Sequence, residues 1–234
     1  MPANMPSYIA ILFALTTVVT LLILFAAIRQ SSNSKNKSIL ILIALVVWLI
    51  LQAALSYNNF YENNFTTPPK LMLVVLPPAL TIVFLFISKK GRQFIDGLPL
   101  QTLTWLNIVR VPVEIGLYYL AVYKTIPQLM TFEGRNFDII AGITAPLIAW
   151  FGFIKRKLPK KVILGWNIIC LLLVLNILTN GILSVPTRFQ QFAFDQPNIA
   201  VLYFPYIWLP AFIVPAVIFT HLVSIRQLTT TVKK

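Results

Sequence analysis

Seven long apolar runs, separated by short polar segments, constrain this chain more than any other feature of its sequence. Each run is about 18–27 residues long. At about 1.5 Å per residue, each can cross a hydrocarbon core of about 30 Å. The runs do not alternate in polarity, as the strands of a membrane barrel do. We therefore predict an all-α membrane protein with seven transmembrane helices. The runs are Tyr8–Ile28, Ser38–Ser56, Leu71–Ser88, Thr104–Tyr123, Phe137–Ile154, Val162–Leu183 and Ile199–Ile225.

The composition supports a membrane environment. The chain is 58% hydrophobic and 11% charged, whereas soluble domains carry roughly 25% charged residues. A soluble protein of this size would lack the polar side chains needed to cover its surface. No long polar linker interrupts the runs, so we expect residues 1–234 to form a single domain.

The basic residues predict the orientation. The chain contains 19 Lys and Arg residues, of which fourteen fall in alternate segments, four fall in the other segments and Arg110 falls inside a run. Cytoplasmic loops carry an excess of basic residues, so we predict an N-terminus outside and a C-terminus in the cytoplasm. The net charge of +13 is then a topology signal, and we expect no nucleic-acid partner. The cytoplasmic set is Arg29, Lys35, Lys37, Lys89, Lys90, Arg92, Lys155, Arg156, Lys157, Lys160, Lys161, Arg226, Lys233 and Lys234, and the outside set is Lys70, Lys124, Arg135 and Arg188.

The densest basic patch lies between the fifth and sixth runs. It is a candidate contact for anionic lipid headgroups, although a topology determinant needs no further role. The patch consists of Lys155, Arg156, Lys157, Lys160 and Lys161.

The second and sixth runs suggest an internal repeat. Residues Lys37–Ser56 align without gaps on Lys161–Asn180, and Gln52 then corresponds to Asn176. Such a match predicts a parallel 3+1+3 arrangement, in which the first three helices correspond to the last three and the fourth joins them.

Four polar residues form a stripe on the fourth run. Asn107, Arg110, Glu114 and Tyr118 follow one another at spacings of three and four residues, which places them on one helix face. We expect Arg110 and Glu114 to face the bundle interior and to interact. Two interpretations remain open: a neutralised pair that helps the helices pack, or a site for a solute or a proton.

His221 is the only histidine, and it lies on the cytoplasmic side of the seventh run at a depth similar to that of Arg110. If the fourth and seventh helices are neighbours, we expect these two residues to line one inward-facing cavity with Glu114 at its floor. A histidine titrates near neutral pH and can relay protons to a carboxylate. The alternative is a structural histidine that is hydrogen-bonded to a neighbouring helix.

Several chemistries are excluded by residue counts. Cys170 and His221 are the only residues of their types, so the chain has neither an internal disulfide nor a zinc site built from four Cys and His ligands. We find no glycine-rich phosphate loop and no nucleophile elbow. We therefore expect no cofactor, no metal and no catalytic residue.

The functional expectation follows from the polar residues inside the runs. A small-solute or proton-coupled transporter is the leading hypothesis, and a bacterial inner membrane is the expected location. The alternative is a non-catalytic membrane subunit or scaffold that binds a partner through its aromatic outside loops at 58–70, 125–138 and 184–198. A membrane-embedded enzyme is a weaker hypothesis, since acid–base candidates are few. The acidic residues assigned to the outside are Glu62, Glu133, Asp138 and Asp195.

Overall fold

A computed structural model describes residues 5–31, 34–62 and 65–230, and these ranges contain helices and connecting turns but no strand. Lys233 and Lys234, two of the predicted cytoplasmic lysines, lie outside the described residues. The helices are α1 (Ser7–Ser31), α2 (Lys35–Tyr57), α3 (Met72–Ile87), α4 (Lys89–Asp96), α5 (Leu100–Val122), α6 (Asp138–Ile154), α7 (Lys160–Leu183) and α8 (Leu209–Thr229).

The all-α fold with membrane-length helices is confirmed. Among the described residues five helices, α1, α2, α5, α7 and α8, are long and apolar enough to cross a membrane. A sixth span is added if α3 and α4, which meet at an angle of 92°, count together. The remaining apolar helix, α6, is shorter. Each predicted run thus contains a helix, but helix length alone does not confirm seven crossings.

Two helix starts differ most from the prediction, and proline lies at both. Helix α5 begins at Leu100, directly after Pro99 and before the predicted Thr104. A proline is tolerated there because the first amides of a helix have no intrahelical partner. The last helix begins at Leu209 rather than at Ile199. Pro205 lies in the turns that replace its predicted first part, where it cannot donate a backbone hydrogen bond.

Helix α4 was not predicted. The Ser88 hydroxyl accepts a hydrogen bond from the Gly91 amide at 3.0 Å and so caps the start of α4. The Arg92 guanidinium donates to the Ile87 carbonyl at the end of α3 at 2.6 Å. Lys89 and Lys90 are exposed on α4, while its Ile95 is fully buried. A short helix with one polar and one buried face fits a position along the membrane surface.

Helix α5 packs against α1, α6 and α8, and α7 packs along α8. The outer faces of the bundle carry exposed apolar side chains, among them Leu40, Leu80 and Leu172, each more than 60% exposed. Such a surface is compatible with lipid contact, since lipid covers apolar side chains without cost.

The two halves of the proposed repeat do not pack alike. Helix α7 lies along α8, whereas the corresponding α2 and α3 make no extensive contact with each other in the described ranges. Gln52 is buried and accepts a hydrogen bond from the Tyr61 hydroxyl at 2.7 Å. Asn176 is exposed and donates to the Arg135 carbonyl at 2.9 Å. The repeat is therefore not confirmed.

Candidate functional site

Arg110 lies at the middle of α5 and links four helices. Its side chain is 3% exposed. The guanidinium pairs with Asp138 of α6, with Nη2 at 2.5 Å from Oδ1 and Nε at 3.2 Å from Oδ2. Nη2 also donates to the Cys170 carbonyl of α7 at 3.2 Å, and Nη1 lies 3.2 Å from Nε2 of His221 on α8. We call Arg110, Asp138, His221 and Asn167 the arginine centre.

The hydrogen bonds of the arginine centre fix the tautomer of His221. Arginine has donors only, so Nε2 of His221 must accept and Nδ1 must carry the proton. Nδ1 lies 3.0 Å from Oδ1 of Asn167. The Asn167 amide nitrogen donates to the Ile163 carbonyl at 2.9 Å, which turns its oxygen toward the ring. His221 is fully buried and is held as a neutral imidazole between an arginine and an asparagine.

The structure pairs Arg110 with Asp138 rather than with Glu114, so the expected Arg110–Glu114 pair is wrong. Asp138, which we assigned to an outside loop, is buried at the start of α6. The Asn136 side-chain oxygen accepts from the Asp138 amide at 3.0 Å and fixes that start. A signal for this role was present, because the predicted fifth run begins at Phe137 and therefore includes Asp138.

Gly142 allows Asp138 to reach Arg110. Gly142 follows Asp138 by one helical turn and so lies on the same face of α6. A Cβ atom at position 142 would lie 2.9 Å from the Val111 backbone nitrogen and 3.2 Å from the Arg110 Cβ. Helix α6 therefore approaches the backbone of α5 more closely than a side chain at this position would permit.

Glu114 lies one turn beyond Arg110 and has a different environment. It is 1% exposed. Its Oε1 accepts from the Asn136 amide nitrogen at 2.6 Å, while Oε2 has no hydrogen-bond partner among the described residues. The only ion pair that involves Arg110 in the described ranges is with Asp138. Glu114 thus has no cation at salt-bridge distance in the part of the chain described.

A cavity of about 70 Å³ adjoins Glu114. It is lined mainly by apolar side chains together with Glu114, Asp138 and Asn198. The Asn198 nitrogen donates to the Gly181 carbonyl at 3.1 Å, and its buried oxygen has no partner among the described residues. Since one water occupies about 30 Å³ in the liquid, the cavity has room for at least about two waters. We call it the Glu114 cavity.

The Glu114 cavity differs from the predicted one. Asp138, and not Arg110 or His221, lines it beside Glu114. Arg110 and His221 are in contact with each other but belong to the adjacent arginine centre. In the described residues no group of three or more His, Cys, Asp and Glu side chains is placed to hold a metal ion.

The other two residues of the predicted stripe lie apart from both sites. Asn107 is buried, and its amide nitrogen lies 3.4 Å from the Thr220 hydroxyl of α8. Tyr118 is half-buried and stacks on Phe132, with ring centroids 5.2 Å apart. The stripe therefore divides among a helix contact, the arginine centre, the Glu114 cavity and an aromatic pair.

The basic patch, which lies in the turn after α6 and the first turn of α7, is exposed. The Lys155 ammonium lies 5.7 Å from the centroid of the Trp150 ring. Its contact with anionic lipid stays a prediction.

Comparison of the chain with models of known protein families gives a match. A family described as "Domain of unknown function (DUF8737)" matches residues 67–229. The chain belongs to this family. The DUF8737 match includes α3 to α8 and therefore the whole arginine centre and Glu114. Neither the comparison with curated proteins nor that with solved structures found a match.

Proposed function

We propose that this DUF8737 protein crosses a bacterial inner membrane seven times, with its N-terminus outside and its C-terminus in the cytoplasm. The distribution of Lys and Arg supports this orientation. Helices α3 and α6 have 16 and 17 residues and extend about 24–26 Å, so they cross if the bilayer thins slightly around them.

Cysteine labelling tests the topology. In a Cys170→Ser background, Glu133→Cys and Lys157→Cys each introduce one thiol at an exposed position. A membrane-impermeant maleimide applied to intact cells should label position 133 but not position 157. Labelling of position 157 alone would reverse the assignment, and labelling of both would remove at least one crossing.

Within this topology we infer a proton-coupled transporter of a small solute, with Glu114 as the group that takes up and releases the proton. The unpaired Glu114 oxygen beside a cavity large enough for water carries this proposal. A buried carboxylate without a cation is costly, and a proton removes that cost. Intramembrane carboxyl groups often mark proton pathways for this reason.

The neighbouring residues have distinct roles in this proposal. Asn136 holds one oxygen of Glu114 in place and leaves the other for water or solute. The Arg110–Asp138 pair stays ionised and supplies a fixed arrangement of charge beside the cavity. Asn198 presents an acceptor to the same space and orients water there. No covalent chemistry is required, so we place the protein outside the enzymes.

Uptake into liposomes tests the function. The protein is reconstituted, a pH gradient is imposed, and a panel of labelled amino acids, sugars and nucleosides is supplied. We expect at least one solute to accumulate, and Glu114→Gln to abolish accumulation while it retains exchange without a gradient. Equal gradient-driven accumulation by wild type and Glu114→Gln, or no uptake of any solute, would contradict the proposal.

A scaffold function is the second candidate, and one observation favours it. Phe189 and Phe194, in the segment between α7 and α8, are 54% and 72% exposed. Exposed aromatic side chains serve as anchors in protein interfaces. If the protein is a scaffold, Phe189→Ala and Phe194→Ala should weaken binding of its partner in cells, whereas Glu114→Gln should leave that binding unchanged.

A further inference from the structure

An apolar groove lies between α2 and α3, away from the arginine centre. Its volume is about 380 Å³. Ile41, Leu45 and Trp48 form one wall, and Pro78 and Ile82 form the other. Phe219 of α8 contributes to its base. The groove exists because α2 and α3 each pack against the first turns of α8 and make no extensive contact with each other in the described ranges.

Two tryptophan hydrogen bonds hold α2 against α8. Pro215 has no amide hydrogen to donate to the Ala211 carbonyl one turn earlier, and the Trp48 indole donates to that carbonyl at 3.0 Å. In return, the Trp208 indole donates to the Leu49 carbonyl of α2 at 2.9 Å. The wall formed by α2 is therefore fixed in position by bonds that do not depend on what fills the groove.

The groove offers little to a polar ligand. Its exposed lining is almost entirely apolar. The Thr81 hydroxyl in the α3 wall already donates to the Pro77 carbonyl at 2.8 Å, and the Trp48 indole donates to α8. A hydrocarbon chain is the occupant that such a lining favours.

One end of the groove carries positive charge. Lys37 precedes Ile41 by four residues and lies on the same stripe of α2 as Leu45 and Trp48. On the other side, α4 turns by 92° from α3 and begins with exposed Lys89 and Lys90.

Helix α4 is part of the groove, since its Phe94 contributes to the lining. No ion pair of Lys37, Lys89 or Lys90 is found among the described residues. Arg92, in contrast, is engaged with the end of α3. Three lysines therefore remain to neutralise a negative group at this end of the groove.

We propose that the groove binds an anionic glycerophospholipid, with an acyl chain between α2 and α3 and its phosphate beside Lys37, Lys89 and Lys90. The apolar lining selects a hydrocarbon chain, and the lysines select a negative headgroup. This site is separate from the Lys155–Lys161 patch, which lies between α6 and α7.

Native mass spectrometry of the purified full chain tests the site. Phosphatidylglycerol and phosphatidylcholine with identical acyl chains are supplied in mixed micelles. Wild type should retain phosphatidylglycerol preferentially. The triple variant Lys37→Gln, Lys89→Gln, Lys90→Gln should lose that preference by about tenfold or more, because each lysine near an anionic surface adds to the attraction. Lys155→Gln, Lys157→Gln, Lys160→Gln removes the same charge from the separate basic patch and should lower the preference by a clearly smaller factor.

A second pair of variants tests the acyl chain. Ala44 is exposed in the lining of the groove, and Ala54 is exposed on α2 outside it. Ala44→Phe should fill the groove and reduce retention of both lipids, whereas Ala54→Phe should not. Unchanged retention in Ala44→Phe, equal losses in the two lysine triples, or equal binding of both lipids by wild type would each overturn the proposal.

Discussion

The arginine centre and the Glu114 cavity are neighbours, yet the acidic side chains in them have different partners. Asp138 faces an arginine that also bonds to α7 and α8. Glu114, one turn from the same arginine, has a single side-chain donor and a free oxygen among the described residues. The comparison separates a buried carboxyl group that pairs with a cation and links helices from one that has no cation at salt-bridge distance among the described residues. On our proposal, the second is the group that carries the proton.

The difference depends on which residue near the start of α6 meets each side chain: Asp138 meets Arg110, and Asn136 meets Glu114. Gly142 lets α6 approach α5 beside Arg110. Asp138, one turn earlier on α6, therefore lies within reach of the guanidinium. Glu114 meets Asn136, which has no charge and donates to the Met130 carbonyl as well. A fully satisfied buried polar network is rigid, whereas Oε2 of Glu114 has no hydrogen-bond partner among the described residues.

The largest expected effect is loss of the Arg110–Asp138 pair. Asp138→Asn or Arg110→Gln leaves one buried charge without a partner, and we expect each to destabilise the protein by about 3–5 kcal/mol. The double variant should lose less free energy of unfolding than the sum of the losses in the two single variants. Thermal unfolding in detergent provides the measurement, and additive losses would show that the two side chains act independently.

Gly142→Ala should have the next largest effect. The added methyl group would force α6 away from the Val111 backbone, at a cost of about 1–3 kcal/mol for overpacking. Gly165→Ala is the matched control, because a Cβ at position 165 has no neighbour within 4 Å. The melting temperature should fall for Gly142→Ala alone. Equal melting temperatures would mean that the close approach of α5 and α6 is unimportant.

Glu114→Gln should affect stability much less than Asp138→Asn. The amide keeps the shape of a protonated carboxyl and can still accept from Asn136, so we expect a change within about 1 kcal/mol. A loss as large as that of Asp138→Asn in the same unfolding assay would indicate that Glu114 is an ionised structural partner.

The smallest effect is expected at the edge of the bundle. Arg226 and Asp96 form a pair with two hydrogen bonds, Nε to Oδ1 at 2.8 Å and Nη2 to Oδ2 at 2.9 Å. Their side chains are 25% and 34% exposed, and exposed pairs contribute about 0–1 kcal/mol. The melting temperature of Asp96→Asn should therefore be close to that of wild type. A higher salt concentration should abolish any remaining difference between the two melting temperatures. A loss comparable to that of Asp138→Asn would show that burial does not distinguish the two pairs.

The sequence predicted the helices better than their partners. Apolar run length placed a helix in each of the seven runs, because hydrocarbon permits little else than a helix to cross it. The spacing of Arg110 and Glu114 predicted a shared face but not the partner of either. That choice depends on Gly142 and Asn136, which come from a separate part of the chain. Helix α4 was missed since a short amphipathic segment rich in lysine also resembles a loop.

Infrared absorption by the purified protein tests the central claim most directly. A protonated carboxyl group absorbs at a frequency separate from those of carboxylates and amides. At neutral pH we expect a band from the neutral Glu114 carboxyl in wild type, its loss in Glu114→Gln, and its retention in Asp96→Asn. Identical spectra for wild type and Glu114→Gln in this region would contradict a proton-carrying Glu114.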